Sequence, residues 1–481
     1  MARIIGPRTK IVATVGPATA SRSGIAGLVE AGANVIRINF AHGHRDDHRG
    51  VVERVRAVAR ARGEPLAILA DLAGPKIRIG RLPEPVRLEP GARIVLVPED
   101  QWEPGHATLP STYAGLALDV HPGDRVLLDD GNLELRVVET ENAEVQAVVV
   151  RGGLLQPNKG LNLPGVRVSA PALAERDRED LAFAVEVGVD YIGLSFVQSP
   201  RDIDMVRARI PDGMLVVAKI EKDVALERLE EILERTDAVM VARGDLGVEL
   251  PFEQVPVAQK RIIQHANLYG RPVITATQML ESMLQSPRPT RAEASDVANA
   301  VLDGTDAVML SGETAVGRYP TEAVRAMNAI IRETEKTASF EAGPKYDIPM
   351  QNRLRAGATA TEHAIAAATV EAVALLGAPA IVTMTRSGFT SRVVSSYRPP
   401  VPVLGVCHEE HVYRQLALVW GVTPVLCRID GEPTYPVILE CARRFLQDEG
   451  LARPGDRFPV TAGVPFFNVA GTTNMLRIEE L

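Results

Sequence analysis

Cysteine is scarce: Cys407, Cys427 and Cys441 are the only three in 481 residues. They stand apart in the chain without metal-ligand spacing, which excludes a disulfide scaffold and a cysteine-based metal site and points to reduced thiols in a cytoplasmic protein. Nine histidines form no HExxH or comparable cluster, so a zinc site is not expected. No excess of positive charge exists: 53 Lys and Arg face 61 Asp and Glu, a formal charge of −8. That argues against nucleic acid or a membrane surface as a partner. No apolar run is long enough to span a bilayer, and "MARIIGPRTK" at the start lacks the apolar core of a secretory signal. What remains is 46% hydrophobic and 24% charged residues, ordinary for a soluble globular chain long enough for more than one domain.

Within that chain short apolar runs recur, each followed by a helix-like segment. They are KIVATV (10–15), NVIRINF (34–40), LAILADL (66–72), YIGLSF (191–196), LVVAKIE (215–221), AVMVARGD (238–245), PVITATQ (272–278) and AVMLSGE (307–313). Runs apolar on both faces suit parallel strands covered by helices, and "VALERLEEILER" between them repeats apolar residues at helical spacing. Eight strand–helix units predict an α/β fold, a (β/α)8 TIM barrel. Each run ends in polar or charged residues: Thr14, Arg37 with Asn39, Asp71, Ser195, Lys219 with Glu221, Arg243 with Asp245, Thr277, and Glu313. A barrel gathers these ends at one mouth, where its active site lies. Residues two apart on a strand share a face, so Lys219 and Glu221 are expected to project there side by side.

One interval breaks the rhythm. More than a hundred residues separate Leu72 from Tyr191, and "ARIVLVPED", "GDRVLLDDGNLELRVVE" and "VQAVVVRGG" within them read as a small antiparallel β domain. Inserted on a βα loop, it sits over the mouth as a lid. After "ETEKTASFEAGPKYDIPMQNR" (333–353), which reads as a linker, α/β alternation resumes with "TEHAIAAATVEAVALLG", "AIVTM" and "VPVLGV". Between the last two, "TRSGFTSR" (385–392) is a Gly-, Ser- and Thr-rich loop leading into a helix, which reads either as a phosphate site helped by Arg386 or as an ordinary αβ connection.

Glu221 and Asp245 supply hard oxygen ligands on neighbouring strands, as Mg²⁺ requires. Lys219 beside them can neutralise a transferring group, and Arg37 and Arg78 are candidate phosphate clamps. A short helix starting at Gly244 would aim N–H groups at an anion such as a carboxylate. From these residues the chemistry reads as a Mg²⁺-dependent enzyme acting on a phospho- or keto-acid.

"ITATQMLESM" (274–283), "PRPTRAEASDVANAVLDGTDAVMLSGETAVGRYP" (287–320), "KIE" (219–221), "ARGDLGVE" (242–249), "NKGLNLPG" (158–165), "TKIVATVGPAT" (9–19) and "INFAHG" (38–43) together resemble the pyruvate kinase family, and the likeness runs on to "GTTNMLRI" near the end. The resemblance implies a barrel domain in two parts (1–71 and 168–340), an inserted small β-barrel lid domain (72–167), and a C-terminal α/β domain (341–481) for effector binding and oligomerisation, usually in a homotetramer. It implies phosphoryl transfer from phosphoenolpyruvate to ADP, giving pyruvate and ATP, with Mg²⁺ as cofactor and Mn²⁺ as a substitute. Glu221 and Asp245 would hold the metal. Lys219 would stabilise the phosphoryl group in flight and the enolate left behind, and Arg37 would bind the phosphoryl. Gly244 and Asp245 would hold the carboxylate through backbone N–H groups, and Thr277 would contact substrate near the methylene. Arg78 and Lys159 would reach the nucleotide phosphates, with Thr14 and His42 near the nucleotide or in plain capping roles. Thr385, Arg386, Ser387 and Thr390 fall where the family's effector phosphate sits, for a sugar phosphate or AMP.

The sequence departs from the family's K⁺ site. Asn39 and Asp71 remain, but Ala41 stands in place of serine, Leu72 in place of threonine, and Lys76 in place of glutamate. A fixed ammonium at 76 would repel K⁺, so K⁺ is not expected to be required. Two alternatives remain: a barrel lyase or aldolase with an enolate intermediate, which needs no lid lysine, and an inactive relative kept as a metabolite sensor.

Overall fold

The computed structural model describes residues 6–104, 107–343, 360–429, 431, 433–465 and 472–481. Residues 1–5 of the first barrel segment, 105–106 of the insert, and 344–353 of the expected linker lie outside them. Among the described residues no helix is long and apolar enough to cross a membrane.

All eight expected strands form. β1 (Lys10–Val15), β2 (Val35–Asn39), β3 (Ala67–Asp71), β4 (Tyr191–Leu194), β5 (Leu215–Ile220), β6 (Ala238–Ala242), β7 (Val273–Ala276) and β8 (Ala307–Leu310) close into one parallel barrel, each beside its sequence neighbour and β8 beside β1. Alternation explains the closure. Val12, Val35, Leu69, Val217, Met240, Ile274 and Met309 pack together as one cluster, the barrel interior. Their neighbours Ile11, Ile36, Ile68, Val216, Val239 and Val308 join a second cluster with the helices outside. The inward parity carried two residues further along each strand reaches Thr14, Arg37, Asp71, Ser195 and Lys219. The period that builds the core thus also aims the polar groups at the mouth. Leu72 has the other parity, and its side chain lies in the outer cluster.

Two expectations shift. Strand β6 ends at Ala242, opposite the last residue of β7, Ala276. Arg243 and Asp245 therefore lie on the helix Arg243–Glu249 that follows, not on the strand. The segment read as a linker is partly helical: helix Pro320–Thr334 runs into it, and Thr337 caps the short helix Ala338–Glu341 by accepting from the Phe340 N–H.

The insert between β3 and β4 is a six-stranded sheet with the order Leu161–Asn162, Arg125–Leu128, Leu133–Glu141, Glu144–Arg151, Arg93–Pro98, Thr108–Ser111. Its last pair is parallel rather than antiparallel, because the chain crosses over through Glu99–Gln101 instead of turning back directly. Arg78 and Ile79 bridge to Gly160 at one edge and Ser111 at the other, which closes the sheet on itself. Leu96, Val126, Leu128, Leu135 and Val145 fill its own core.

The C-terminal sheet has the order Val422–Leu426, Val403–Cys407, Ile381–Met384, Arg457–Ala462, Met475–Glu480, with only the last strand antiparallel. It docks against the barrel's N-terminal end. Ala417 and Leu418 join the interior cluster, the Tyr191 hydroxyl donates to the Gln415 carbonyl (2.7 Å), and the Lys10 ammonium donates to the Val422 carbonyl (2.9 Å).

Candidate active site

Five strand ends meet in one hydrogen-bonded network. Arg37 Nε donates to Asp71 Oδ2 (2.7 Å) and Nη1 to Thr14 Oγ1 (3.1 Å). The Lys219 ammonium lies 3.2 Å from Asp71 Oδ1 and 2.8 Å from Glu221 Oε1, and donates to Ser195 Oγ at 2.7 Å. The Ser195 hydroxyl in turn donates to the Leu72 carbonyl (2.7 Å). Glu221 Oε2 accepts the Phe196 N–H at 2.6 Å. Lys219 and Glu221 do project together, as the strand parity required.

Burial works against every charge here, so the partners decide. Burial pushes the Asp71 carboxyl up, but Lys219 and Arg37 outweigh it and hold it below its ordinary value. Burial works against the Lys219 ammonium too, yet Asp71 and then Glu221 keep it protonated well above the usual lysine range. Glu221 goes the other way. Its burial dominates, Lys219 offsets only part, and repulsion from Asp245 adds to the rise, to about 7. Two carboxylates that repel each other across a partly open mouth form a donor set suited to a divalent cation. With Glu221 ionised by a bound divalent cation, Arg37, Lys76 and Lys219 would balance Asp71, Glu221 and Asp245, three charges against three, and the cation would leave the site net positive for an anionic substrate.

The next strand ends supply backbone. The helix Arg243–Glu249 opens at the mouth, and the Gly244 N–H donates to Thr277 Oγ1 (2.9 Å), which donates to the Ala276 carbonyl (2.7 Å). Thr277 and Gln278 both have positive φ, 66° and 53°, and so does Phe196 at 55°. Such backbone strain in residues other than glycine gathers at functional sites and is held by its surroundings. Arg243 is one holder: Nη2 donates to the Thr277 carbonyl (2.7 Å), and Nη1 lies 2.7 Å from Asp296 Oδ2. Arg243 and Glu313 therefore brace the site without facing it. Glu313 accepts the Leu280 and Ser311 N–H groups (3.1 and 2.7 Å).

From the insert, Lys76 places its ammonium 3.9 Å from Asp245 Oδ1. Arg78 Nη1 donates to the Asn158 carbonyl (3.1 Å), and Lys159 pairs with Asp129 (2.6 Å), which raises the lysine pKa and lowers that of the carboxyl. His42 is exposed beside the mouth. Asn39 Oδ1 accepts the Ala41 N–H (3.1 Å), and Leu72 offers the mouth only its carbonyl. In the C-terminal sheet, 385–388 follow strand Ile381–Met384 and lead into helix Phe389–Ser396. Arg386 is exposed and Ser387 half-buried. Thr385 is buried, and so is Thr390, whose hydroxyl shares a 2.8 Å hydrogen bond with Thr473.

Two residues were not among the candidates for site roles, and a third has another part than the one expected. Ser195 was visible only as a polar strand end. Phe196 carries no signal, because an apolar residue does not announce a left-handed backbone. Asp71 was noted as a cation ligand, whereas here it joins Arg37 to Lys219.

Residues 6–324 match the family described as "Pyruvate kinase, barrel domain", and residues 363–479 match "Pyruvate kinase, alpha/beta domain". The chain is 44% identical to "Pyruvate kinase 2" of Synechocystis sp., over 98% of this chain and 79% of that protein. It is 44% identical to the pyruvate kinase of Mycobacterium tuberculosis, over 98% of each. A crystal structure of a pyruvate kinase from Cryptosporidium parvum superposes with a TM-score of 0.88 at 33% identity, over 98% of this chain and 96% of that one. With the barrel-domain match followed by the alpha/beta-domain match, and relatives this similar over nearly the whole chain, the chain belongs to the pyruvate kinase family of phosphotransferases.

Proposed function

We propose that this chain transfers the phosphoryl group of phosphoenolpyruvate to ADP, giving pyruvate and ATP, in the cytoplasm and as a homotetramer. The observation that carries this is the Lys219 ammonium, 12% exposed and held between Asp71 and Glu221 at the mouth. Arg37, anchored by Asp71 and Thr14, turns its Nη2 to the phosphoryl oxygens. Lys219, hydrogen-bonded to Ser195 and ion-paired with Asp71 and Glu221, exchanges one partner to meet the phosphoryl group as it leaves and the enolate oxygen it leaves behind. The Gly244 and Asp245 N–H groups receive the substrate carboxylate, which displaces Thr277 Oγ1 from Gly244. Thr277 lies by the methylene carbon that gains the proton. Glu221 and Asp245 would hold Mg²⁺, with Mn²⁺ as a substitute, and the bound cation would supply charge neutralisation of the phosphoryl oxygens. Arg78 and Lys159 reach the phosphates of ADP from the lid, with Thr14 and His42 nearby.

Lys76 and Ala41 support K⁺ independence, since an ammonium already sits by Asp245. The loop 385–390 takes a phosphorylated activator, a sugar phosphate or AMP, through Thr385, Arg386, Ser387 and Thr390. The domain limits that go with this reading are 1–71 and 168–340 for the barrel, 72–167 for the lid and 341–481 for the C-terminal domain. The test is ATP formation from phosphoenolpyruvate and ADP, coupled to lactate dehydrogenase with Mg²⁺ present. No turnover above a metal-free control overturns the reading. Titration of fructose bisphosphate, glucose 6-phosphate, ribose 5-phosphate and AMP tests the effector loop: unchanged phosphoenolpyruvate half-saturation with all four, or an effect that survives Arg386→Ala, removes it.

A further inference from the structure

Helix Arg243–Glu249 presents Gly244 and Asp245 to the mouth at its first turn. Its last residue, Glu249, lies one turn beyond Asp245 on the same side of the helix and is 5% exposed. A carboxylate there is doubly disfavoured, by burial and by the negative end of the helix dipole. Consistent with this, burial raises its pKa, and Lys222 and Asn162 offset only part of the rise. Its partners are few. Lys222 Nζ lies 3.8 Å from Oε1, Asn162 Nδ2 donates to Oε1 at 3.3 Å, and Oε2 has no hydrogen-bond partner among the described residues. A half-satisfied buried carboxylate is poor material for stability alone.

What it joins is informative. Lys222 follows Glu221 directly, Asn162 ends the lid strand Leu161–Asn162, and Glu249 closes the helix that bears Asp245. One carboxylate thus ties the lid to the two segments carrying the candidate metal ligands. The lid touches the same helix at two further places. Lys76 lies 3.9 Å from Asp245, and a Cβ built at Gly131 would meet Val248 Cγ1 at 3.8 Å.

We propose that Glu249 is a positioning residue that couples docking of the lid to the placement of Asp245 and Glu221, with the Asn162 amide as the lid's side of the latch. When the lid docks, the amide donates to Glu249, and the helix is fixed against Lys222. When the lid lifts, Glu249 keeps only Lys222, and the helix that offers Gly244 and Asp245 loses one of its restraints. The proposal rests on the phosphoryl-transfer reading of the mouth for its kinetic consequences, but not for the latch itself.

The test exchanges donor and acceptor. Asn162→Asp sets two carboxylates against each other. Loss and reversal of a hydrogen bond to a charged group should lower kcat/KM for phosphoenolpyruvate by about tenfold or more. Adding Glu249→Gln to Asn162→Asp restores a donor opposite the new acceptor, and should recover most of that loss. Glu249→Gln alone also costs activity, because two amides can meet but Lys222 loses its counter-charge. Lid docking is read separately in the substrate-free protein, through the fluorescence of the lid tryptophan Trp102 and the rate of proteolysis in the insert. Asn162→Asp should loosen the lid, and the pair should restore it. If the two substitutions are additive in both readouts, the latch does not exist. If Asn162→Asp shifts only the unfolding midpoint and leaves kcat/KM and lid docking at wild-type values, the residues are structural and the proposal falls. If wild-type protein makes no ATP from phosphoenolpyruvate but the lid follows the exchange, the functional reading falls and the latch stands.

Discussion

Both ends of the barrel bury carboxylates against arginine and lysine, yet the two ends use them differently. At the N-terminal end Asp190, Asp237 and Asp306 each precede a strand, and each accepts the N–H of the neighbouring strand: Ile68 (2.8 Å), Val216 (2.8 Å) and Val273 (3.0 Å). Each also pairs with arginine: Arg56, Arg207 and Arg398 respectively, at 2.9, 2.7 and 3.0 Å, with Arg414 a second partner of Asp190 at 2.8 Å. The segment "TDAVM" occurs at 236–240 and again at 305–309, and both threonines bond the carbonyl of the adjacent strand. These carboxylates spend an oxygen on backbone and so fix the spacing of strands. At the mouth Asp71 and Glu221 instead face Arg37 and Lys219, and the backbone contributes only the Phe196 N–H. A carboxylate bound to backbone cannot change partners without opening the sheet. One bound to flexible cations can. The difference separates stability from chemistry within one fold.

Breaking each end in turn sharpens that contrast. Lys219→Met keeps the bulk and removes the charge proposed to meet the phosphoryl group, and kcat should fall by at least roughly 100-fold. The coupled assay measures it, and near-wild-type turnover would remove Lys219 from its role. At the other end Asp306→Ala orphans the Val273 N–H and leaves the buried Arg398 without its counter-charge. It should cost about 3 kcal/mol of stability while KM for phosphoenolpyruvate stays within about twofold. A urea unfolding midpoint beside a KM measurement separates the two effects, and a large KM change with unaltered stability would reverse the assignment of the faces.

The mouth should also respond to pH. A carboxyl raised to about 7, as Glu221 is, favours the folded state when protonated, so its contribution is present at acid pH and lost as pH rises through 7. Asp71, held below its ordinary value, contributes at neutral pH and loses that contribution only as pH falls through its lowered pKa. A divalent cation held by Glu221 would need its ionised form, so Mn²⁺ affinity should weaken by about tenfold between pH 8 and pH 6. Calorimetric titration at the two pH values checks this, and equal affinities would contradict the raised Glu221. The smallest effect concerns K⁺. At constant ionic strength in Tris or tetramethylammonium buffer, adding K⁺ should change the rate less than about twofold, under ~0.4 kcal/mol in barrier. Lys76→Glu should weaken the K⁺-free activity. Strong K⁺ activation of the unaltered enzyme would show that the ammonium beside Asp245 does not take the cation's place.

Much of this was legible in the chain itself. Alternating apolar runs specify eight strands, and the parity that puts Val12, Leu69 and Val217 inside the barrel also puts Thr14, Asp71 and Lys219 at its mouth, because side chains on a strand alternate regardless of what surrounds them. Apolar runs between helical segments were enough to order the strands, since parallel neighbours follow from short right-handed crossovers. Tertiary structure decided the rest. Arg243 stood at a strand end like the others, but the strand stops where its partner stops, and Arg243 turns to brace Thr277. Leu72 looked like an altered ligand position, yet its parity sends the side chain into the outer core. Asp71 became the bridge between Arg37 and Lys219, and Glu249 met a lid residue 87 positions away in the chain. Contacts between distant segments depend on where whole elements dock, and no local pattern of residue types carries that information.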